Sequence, residues 1–401
     1  PAMAGLDERL HWASHGGAHW WAIAVAWALQ LAAQGCRRRG DGEGWQQIRK
    51  ALSDGSFLEQ GLTLLERHDP EGMGLHWLRR DPAQAEGWRR HEPPARLWQL
   101  PMLLIGGWYD PHLSGVLDLW QRCEAGGGQP VLRIGAWNHL QWQGGIDRLQ
   151  LAFFQRQLQS SAAAGGCSEP TPALRSETPT ALLQDLRSQR WLARRPEQTS
   201  GQRWGLASTG LAAVDASEGR LQRESGGSLV LVHDPWRPLP GRGGHLGLDA
   251  GPAERGDLDA RCDVACFSGP PVEADLELLG RPELTLMAAA DQPGFDLCVA
   301  LSVLEAGGAV QQLSTGVARF RGEGCLALQK RQVQLQPLLA SLRAGERLRL
   351  SIGLAAWPQI AVNPGDGSLP QGPVGPAHRV ISVQLELAEA SLCMLAMVGA
   401  N

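Results

Sequence analysis

An aspartate and a histidine 29 positions apart are the residues best placed to do chemistry. Asp110 closes the stretch Gly106-Gly107-Trp108-Tyr109-Asp110, and His139 closes Gly135-Ala136-Trp137-Asn138-His139, each behind a short apolar run. A carboxylate that fixes an imidazole tautomer, followed in the chain by the imidazole that serves as general base, is the order of the last two members of an α/β-hydrolase triad. If the two apolar runs are parallel neighbours, a carboxylate oxygen of Asp110 is expected within about 3.5 Å of Nδ1 of His139. Read singly, Asp110 is a helix N-cap ahead of Pro111 and His139 a loop residue; paired at successive strand ends they favour catalysis. Trp108, Tyr109 and Trp137 flank the pair and are the candidate substrate-binding residues, Tyr109 being the only tyrosine in the chain.

The elements that must hold this pair are legible from periodicity. The apolar runs Leu100 to Ile105 and Val131 to Ile134 read as strands. Between them Leu113, Val116, Leu117 and Trp120 recur at helical spacing, and Ile146, Leu149 and Phe153 do so after the second run. That alternation predicts a βαβα unit and a parallel sheet, whose carboxyl edge is where open α/β sheets place their catalytic groups. Residues 1–97 read as an irregular helical cap, broken by Asp69-Pro70, Asp81-Pro82 and Pro93-Pro94. The small, polar stretch from Ser160 to about Pro179 reads as a linker. Beyond it the apolar period is two, as in Leu284/Leu286, Leu326/Leu328, Val333/Leu335, Leu348/Leu350/Ile352/Leu354 and Ile381/Val383/Leu385/Leu387. Short strands over about 220 residues predict a β-sandwich or jelly roll. The expected division is therefore cap 1–97, βαβα part 98–162 and β-sandwich 163–401.

Composition narrows the class. The chain has 401 residues, 43% of them hydrophobic and 19% charged, with a net charge of -4, which suits a globular protein with a sizeable core. The balance of 37 basic and 41 acidic residues offers no positive field for a phosphate backbone, so no nucleic-acid partner is expected. The apolar run Trp20 to Ala33 is too short for a bilayer span of about 20 residues and lies behind Asp7, Glu8 and Arg9 rather than a basic leader, so it reads as a buried helix. No membrane partner and a cytoplasmic location are expected. The eight cysteines form no C-x-x-C pair and read as scattered reduced thiols; Cys262 and Cys266 would share one face if they lay on a strand, but two more ligands would be needed for a metal. The sixteen tryptophans include a cap cluster of Trp20, Trp21, Trp27, Trp77 and Trp88, read as core.

The stretches Gly107-Trp108-Tyr109-Asp110 and Gly135-Ala136-Trp137-Asn138-His139 resemble the acid and histidine motifs of the cocaine-esterase and X-prolyl dipeptidyl-peptidase type of α/β-hydrolase (CocE/NonD-like), departing at Ala136 and Asn138. Further landmarks follow in the same order: Asp234-Pro235-Trp236 through Gly243-Gly244, Arg261-Cys262-Asp263-Val264, Gly294-Phe295-Asp296-Leu297, Trp357-Pro358 and Asn363-Pro364-Gly365. The resemblance implies an α/β-hydrolase domain with helical cap followed by a jelly roll, a serine hydrolase working through an acyl-enzyme, Asp110 and His139 as acid and base, and no cofactor or metal. It also implies a Gly-x-Ser-x-Gly nucleophile elbow, and none occurs in these 401 residues. About 120 to 150 residues carrying it are therefore expected upstream of Pro1, and the chain alone is expected to be inactive, its hydrolase part fragile and its sandwich able to survive alone.

Two local look-alikes deserve a physical answer. Ala51-Leu52-Ser53-Asp54-Gly55 is a relaxed elbow and His15-Gly16-Gly17 mimics an oxyanion loop, but Gln46-Gln47-Ile48-Arg49-Lys50 is polar where an elbow needs a buried strand, so Ser53 reads as a helix end. The expected partner is a small ester or amide/peptide substrate, with the oligomeric state open, a homodimer included. The rival readings are a non-catalytic fragment or pseudoenzyme with a jelly-roll binding module, and a carbohydrate-binding β-sandwich fused to a helical domain, which would show no contact between Asp110 and His139.

Overall fold

A computed structural model describes residues 5–140, 145–159, 180–195 and 201–398. The expected linker from Ser160 to about Pro179 lies outside the described residues. The cap opens with a short helix at Glu8–Ala13 and a hairpin of β1 (Ser14–His15) and β2 (Ala18–His19), then packs α1 (Trp21–Arg39), α2 (Gly42–Asp54), α3 (Phe57–His68) and α4 (Met73–Arg79) around their own core. The tryptophan-rich run is α1, buried on Trp21, Val25, Ala28, Leu29 and Ala32, as a helix inside a protein should be. No helix among the described residues is long and apolar enough to cross a membrane.

The predicted βαβα unit is present as β3 (Leu103–Tyr109), α5 (Leu113–Ala125), β4 (Val131–Asn138) and α6 (Ile146–Gln159). Both strands run four residues beyond the apolar runs that announce them, so Gly106, Gly107 and Gly135 are strand residues rather than the start of loops. Glycine is tolerated there because the backbones approach closely: a Cβ on Gly107 would stand 2.1 Å from the carbonyl oxygen of Trp137. β3 and β4 pair in parallel, Leu103 beside Val131 and Gly107 beside Gly135. β3 is the end strand of this sheet among the described residues. On the outer side of α6, Leu151, Phe154 and Leu158 are exposed.

The division expected at 162/163 is not where the sheet ends. After the linker the chain returns to it: β5 (Ala181–Gln184) pairs in parallel with β4, and β6 (Trp191–Leu192) closes against β5. Ala181 and Leu183 are buried there, and two inward residues are too brief a signal to read from sequence.

The remaining chain is a β-sandwich: β7 (Gln202–Ala207), β8 (Gly219–Gln222), β9 (Ser228–His233), β10 (Ala253–Glu254), β11 (Ala265–Ser268), β12 (Leu276–Ala290), β13 (Gly294–Leu304), β14 (Val310–Arg321), β15 (Gln329–Gln334), β16 (Leu338–Leu342), β17 (Arg347–Gly353) and β18 (Ile381–Val398). Their hydrogen-bonded order runs β10-β14-β13-β17-β11-β8-β7-β18-β12-β15, with β16 on β12 and β9 on β18. The period of two does what it promises in β12, where Leu284, Leu286, Ala288 and Ala290 face inward. It misleads at Leu326 and Leu328, which lie in an exposed loop ahead of β15; two alternate leucines are too few to define a strand face. Cys262 sits exposed in a turn and Cys266 buried in β11, so they share no strand face; the seven cysteines described are all free.

Two of the sequence landmarks meet in space. Asp296, in Gly294-Phe295-Asp296-Leu297, accepts from both arms of Arg319 and from the Asn363 side-chain amide of Asn363-Pro364-Gly365. Arg319 in turn donates to the carbonyl of Ala361, while its backbone N–H reaches Gly16 of the cap hairpin.

Candidate active site

Asp110 and His139 emerge directly after β3 and β4, at the same edge of the sheet. His139 Nδ1 donates to Asp110 Oδ2 across 3.2 Å, within the distance expected from sequence. The other carboxylate oxygen, Oδ1, accepts the backbone N–H of His112, so Asp110 also orders the turn into α5, whose N-cap is His112. With Nδ1 committed to the carboxylate, Nε2 is the basic nitrogen of His139. The carboxylate hydrogen bond raises the His139 pKa, against the opposing effect of burial, and the side chain is 52% exposed.

A second histidine, not anticipated from sequence, stands beside the pair. The rings of His112 and His139 meet edge to face at 4.7 Å. His112 Nδ1 donates to the carbonyl of His11 at 2.7 Å, and burial, with the neighbouring His139 adding to it, lowers its pKa and so favours its neutral form. Asp110, His112 and His139 also bring three ligand atoms within 4.8 Å of one another. Both carboxylate oxygens of Asp110 are already engaged, Oδ2 by His139 and Oδ1 by the His112 backbone N–H.

The sandwich holds both loops. The Gln336 side-chain amide donates to the backbone carbonyl of Asp110 at 2.7 Å, and that of Asn138 donates to the carbonyl of Ala250 at 2.9 Å. These partners lie 226 and 112 positions away, so no local pattern could have found them.

The structure places the three candidate substrate-binding residues in packed surroundings. Trp108 is 3% exposed, with its indole N–H on the carbonyl of Gln184, and Tyr109 is 6% exposed, its phenol pushed up to about 12 by burial. Both belong to the main core. Asp110 is itself only 8% exposed, so the whole end of β3 is enclosed by packing rather than alternating between core and surface. Trp137 packs on Trp191 and lines a cleft of about 830 Å³ with Arg133, Ile146, Asp147 and Arg148; neither Asp110 nor His139 lines it. Ser53 lies exposed in the last turn of α2, before Gly55 turns the chain out of the helix, as its polar flank implied.

Residues 1–141 match the model of X-Pro dipeptidyl-peptidase (S15 family), and residues 176–384, more than half of the chain, match that of the X-Pro dipeptidyl-peptidase C-terminal non-catalytic domain. The chain belongs to this serine hydrolase family. Solved structures share the fold at low identity. A CocE/NonD family hydrolase from Staphylococcus aureus is 13% identical with a TM-score of 0.62, covering 98% of this chain and 66% of its own. An α-amino acid ester hydrolase is 16% identical with a TM-score of 0.59, covering 87% and 62%. An aminopeptidase from a marine sediment archaeon, Thaumarchaeota archaeon, is 16% identical with a TM-score of 0.56, covering 76% and 56%. No curated protein matches the chain. The S15-family chain thus spans less than two thirds of each of these three structures.

Proposed function

We propose that this chain carries the acid and the base of a serine acyl hydrolase that cleaves an ester or amide/peptide bond through an acyl-enzyme. The observation that carries the reading is the 3.2 Å contact from His139 Nδ1 to Asp110 Oδ2 at the carboxyl ends of two parallel strands. Asp110 orients the imidazole and stabilises its protonated form; Nε2 takes the proton from a serine hydroxyl as it attacks the acyl carbon and returns it to the leaving group. Water then enters by the same base and releases the acid. The serine, in this reading, sits on a nucleophile elbow that these 401 residues do not contain. The carbohydrate-binding alternative required Asp110 and His139 to be apart, and they are bonded.

The 401-residue chain is expected to be blank both in an activated-ester assay and with a fluorophosphonate label, because His139 has no elbow serine to activate. Labelling at Ser53 would revive the look-alike triad. Joined to an in-frame upstream segment bearing Gly-x-Ser-x-Gly, the protein is expected to hydrolyse the ester, with Asp110→Asn lowering kcat by about 10⁴-fold. An active joined protein that is indifferent to Asp110→Asn and His139→Ala would refute the assignment.

A further inference from the structure

Away from the Asp110–His139 pair, the ends of three cap helices bring a thiol, a carboxylate and an imidazole together. Cys36 lies in the last turns of α1, Asp41 is the N-cap of α2 and His68 is the last residue of α3. One ligand atom from each, Sγ, a carboxylate oxygen and a ring nitrogen, lies within 4.8 Å of the others. Three such ligands on one tetrahedral ion, at about 2.0 to 2.3 Å from it, stand roughly 3.4 to 3.6 Å apart, so small side-chain rotations close the set.

The hydrogen bonds around the cluster decide which atoms are lone pairs. Gln47 donates its side-chain N–H to Glu43 Oε1 at 2.9 Å, and because a carboxylate only accepts, Oε1 of Gln47 faces the other way, onto His68 Nε2 at 3.1 Å. His68 Nε2 must therefore carry a proton and donate it. In the neutral ring Nδ1 is then a bare lone pair, and it points toward Asp41 Oδ2 at 3.7 Å. Asp41 has already used Oδ1 to accept the backbone N–H of Gly44 at 2.9 Å, which leaves Oδ2 for the cluster. Two acceptors facing one another, with the second nitrogen of the imidazole held by an amide oxygen, is the outer arrangement that aims a histidine at a metal.

Gly44 packs directly on the pair: a Cβ there would sit 2.3 Å from Asp41 Oδ2 and 2.7 Å from His68 Nδ1, so any side chain would push the carboxylate and the imidazole out of place. Two of the three helices present their carboxyl ends, where the peptide dipoles favour positive charge. Arg39 spans the far side, donating to the His68 carbonyl at 2.9 Å and reaching Cys36 Sγ at 3.7 Å, where it would screen a thiolate.

We propose that Cys36, Asp41 and His68 form a zinc site that clamps α1, α2 and α3, with Gln47 as the residue that positions His68 and with water as the fourth ligand. Thiolate, imidazole and carboxylate together suit Zn²⁺ rather than Ca²⁺ or Mg²⁺. On binding, the Cys36 S–H bond gives way to a zinc–sulfur bond and the proton leaves to solvent, so one proton is released per ion bound.

The test is a titration of the intact chain, kept reduced, with Co²⁺ as the spectroscopic stand-in. The expected result is saturation at one equivalent, with a thiolate-to-cobalt charge-transfer band that Zn²⁺ abolishes by displacement. Cys36→Ser is expected to lose the band. Gln47→Leu is expected to keep the band and weaken affinity by about 10- to 100-fold. Asp41→Asn preserves a good helix N-cap while removing the charged ligand, and is expected to weaken binding by at least tenfold. Absence of the band in the unaltered chain overturns the proposal without recourse to any variant. A band that survives Cys36→Ser unchanged also overturns it, since it would report the exposed thiols Cys262 and Cys393.

Discussion

At the scale of single residues, the chemistry depends on one hydrogen bond and on what keeps it oriented. Asp110 raises the His139 pKa, so Asp110→Asn is expected to shift the His139 titration to lower pH, read from its imidazole resonances by NMR. An unmoved midpoint would mean that the contact has no electrostatic weight. Because the folded pKa is raised, the stabilisation it gives is fully present below about 6.5 and is lost as pH rises through the raised value. Gln336 is buried and reaches only the Asp110 carbonyl in this site; Gln336→Leu is expected to leave the fold intact while disordering the Asp110 turn, seen as a His139 titration that moves toward that of Asp110→Asn. His19 works in the opposite sense. It is buried, its Nε2 donates to the Arg80 carbonyl at 2.8 Å, and burial lowers its pKa to about 4. A base with a depressed pKa takes up its proton more readily once unfolded. Its contribution is therefore intact above 6.5 and falls as pH drops from there to about 4, by at most about 3 kcal/mol. Urea denaturation across that window should show this slope in the unaltered chain and a shallower one in His19→Gln.

At the scale of elements, the pair is positioned by two strands that can approach only because glycines line their ends. A Cβ on Gly107 meets the backbone oxygen of Trp137, which cannot swing aside as a side-chain tip could. Gly107→Ala is expected to cost about 1–3 kcal/mol or more, the usual range for overpacking a tight interior, and to spread β3 from β4 where Asp110 and His139 depart. A urea midpoint equal to that of the unaltered chain would contradict this. The same strands show why local reading located the elements yet misjudged their limits. Apolar side chains announce Leu103 to Ile105 and Val131 to Ile134, but the four further residues of each strand are held by pairing to the neighbouring strand, which leaves no trace in local composition.

At the scale of the whole molecule, the cap, the small sheet and the sandwich are joined more closely than the expected division allows. One buried cluster runs from Trp108 and Leu117 to Leu339 and Leu385. The β5–β6 turn places the Leu186 N–H on the Leu339 carbonyl, Arg187 pairs with Glu346 and Glu305, and Arg321 pairs with Asp81 of the cap. The Trp21 N–H reaches the carbonyl of Gln359 at 2.8 Å. A sandwich surviving alone while the rest unfolds would have to expose the faces that meet here. The expectation from structure is thus a single cooperative melting transition, and two pieces that stay together in gel filtration after cleavage at a protease site inserted between Gly165 and Gly166, since β5 remains paired to β4. Two separated transitions, or pieces that part on cleavage, would restore the picture of independent halves.

What the sequence determined by itself is whatever is written in short-range pattern: the helical spacing of α5, the alternation of β12, the acid and the histidine at successive strand ends, and the motifs that carry the family. These depend on periods of two to four residues and on neighbours along the chain. Tertiary structure alone decided the return of β5 to the first sheet, the burial of Trp108 and Tyr109, the packing of His112 against His139, the grip of Gln336 on Asp110, and the meeting of Cys36, Asp41 and His68. Each of those is a contact between distant segments, set by which apolar faces bury one another and which polar atoms must then find partners. No local window of sequence contains both sides of such a contact.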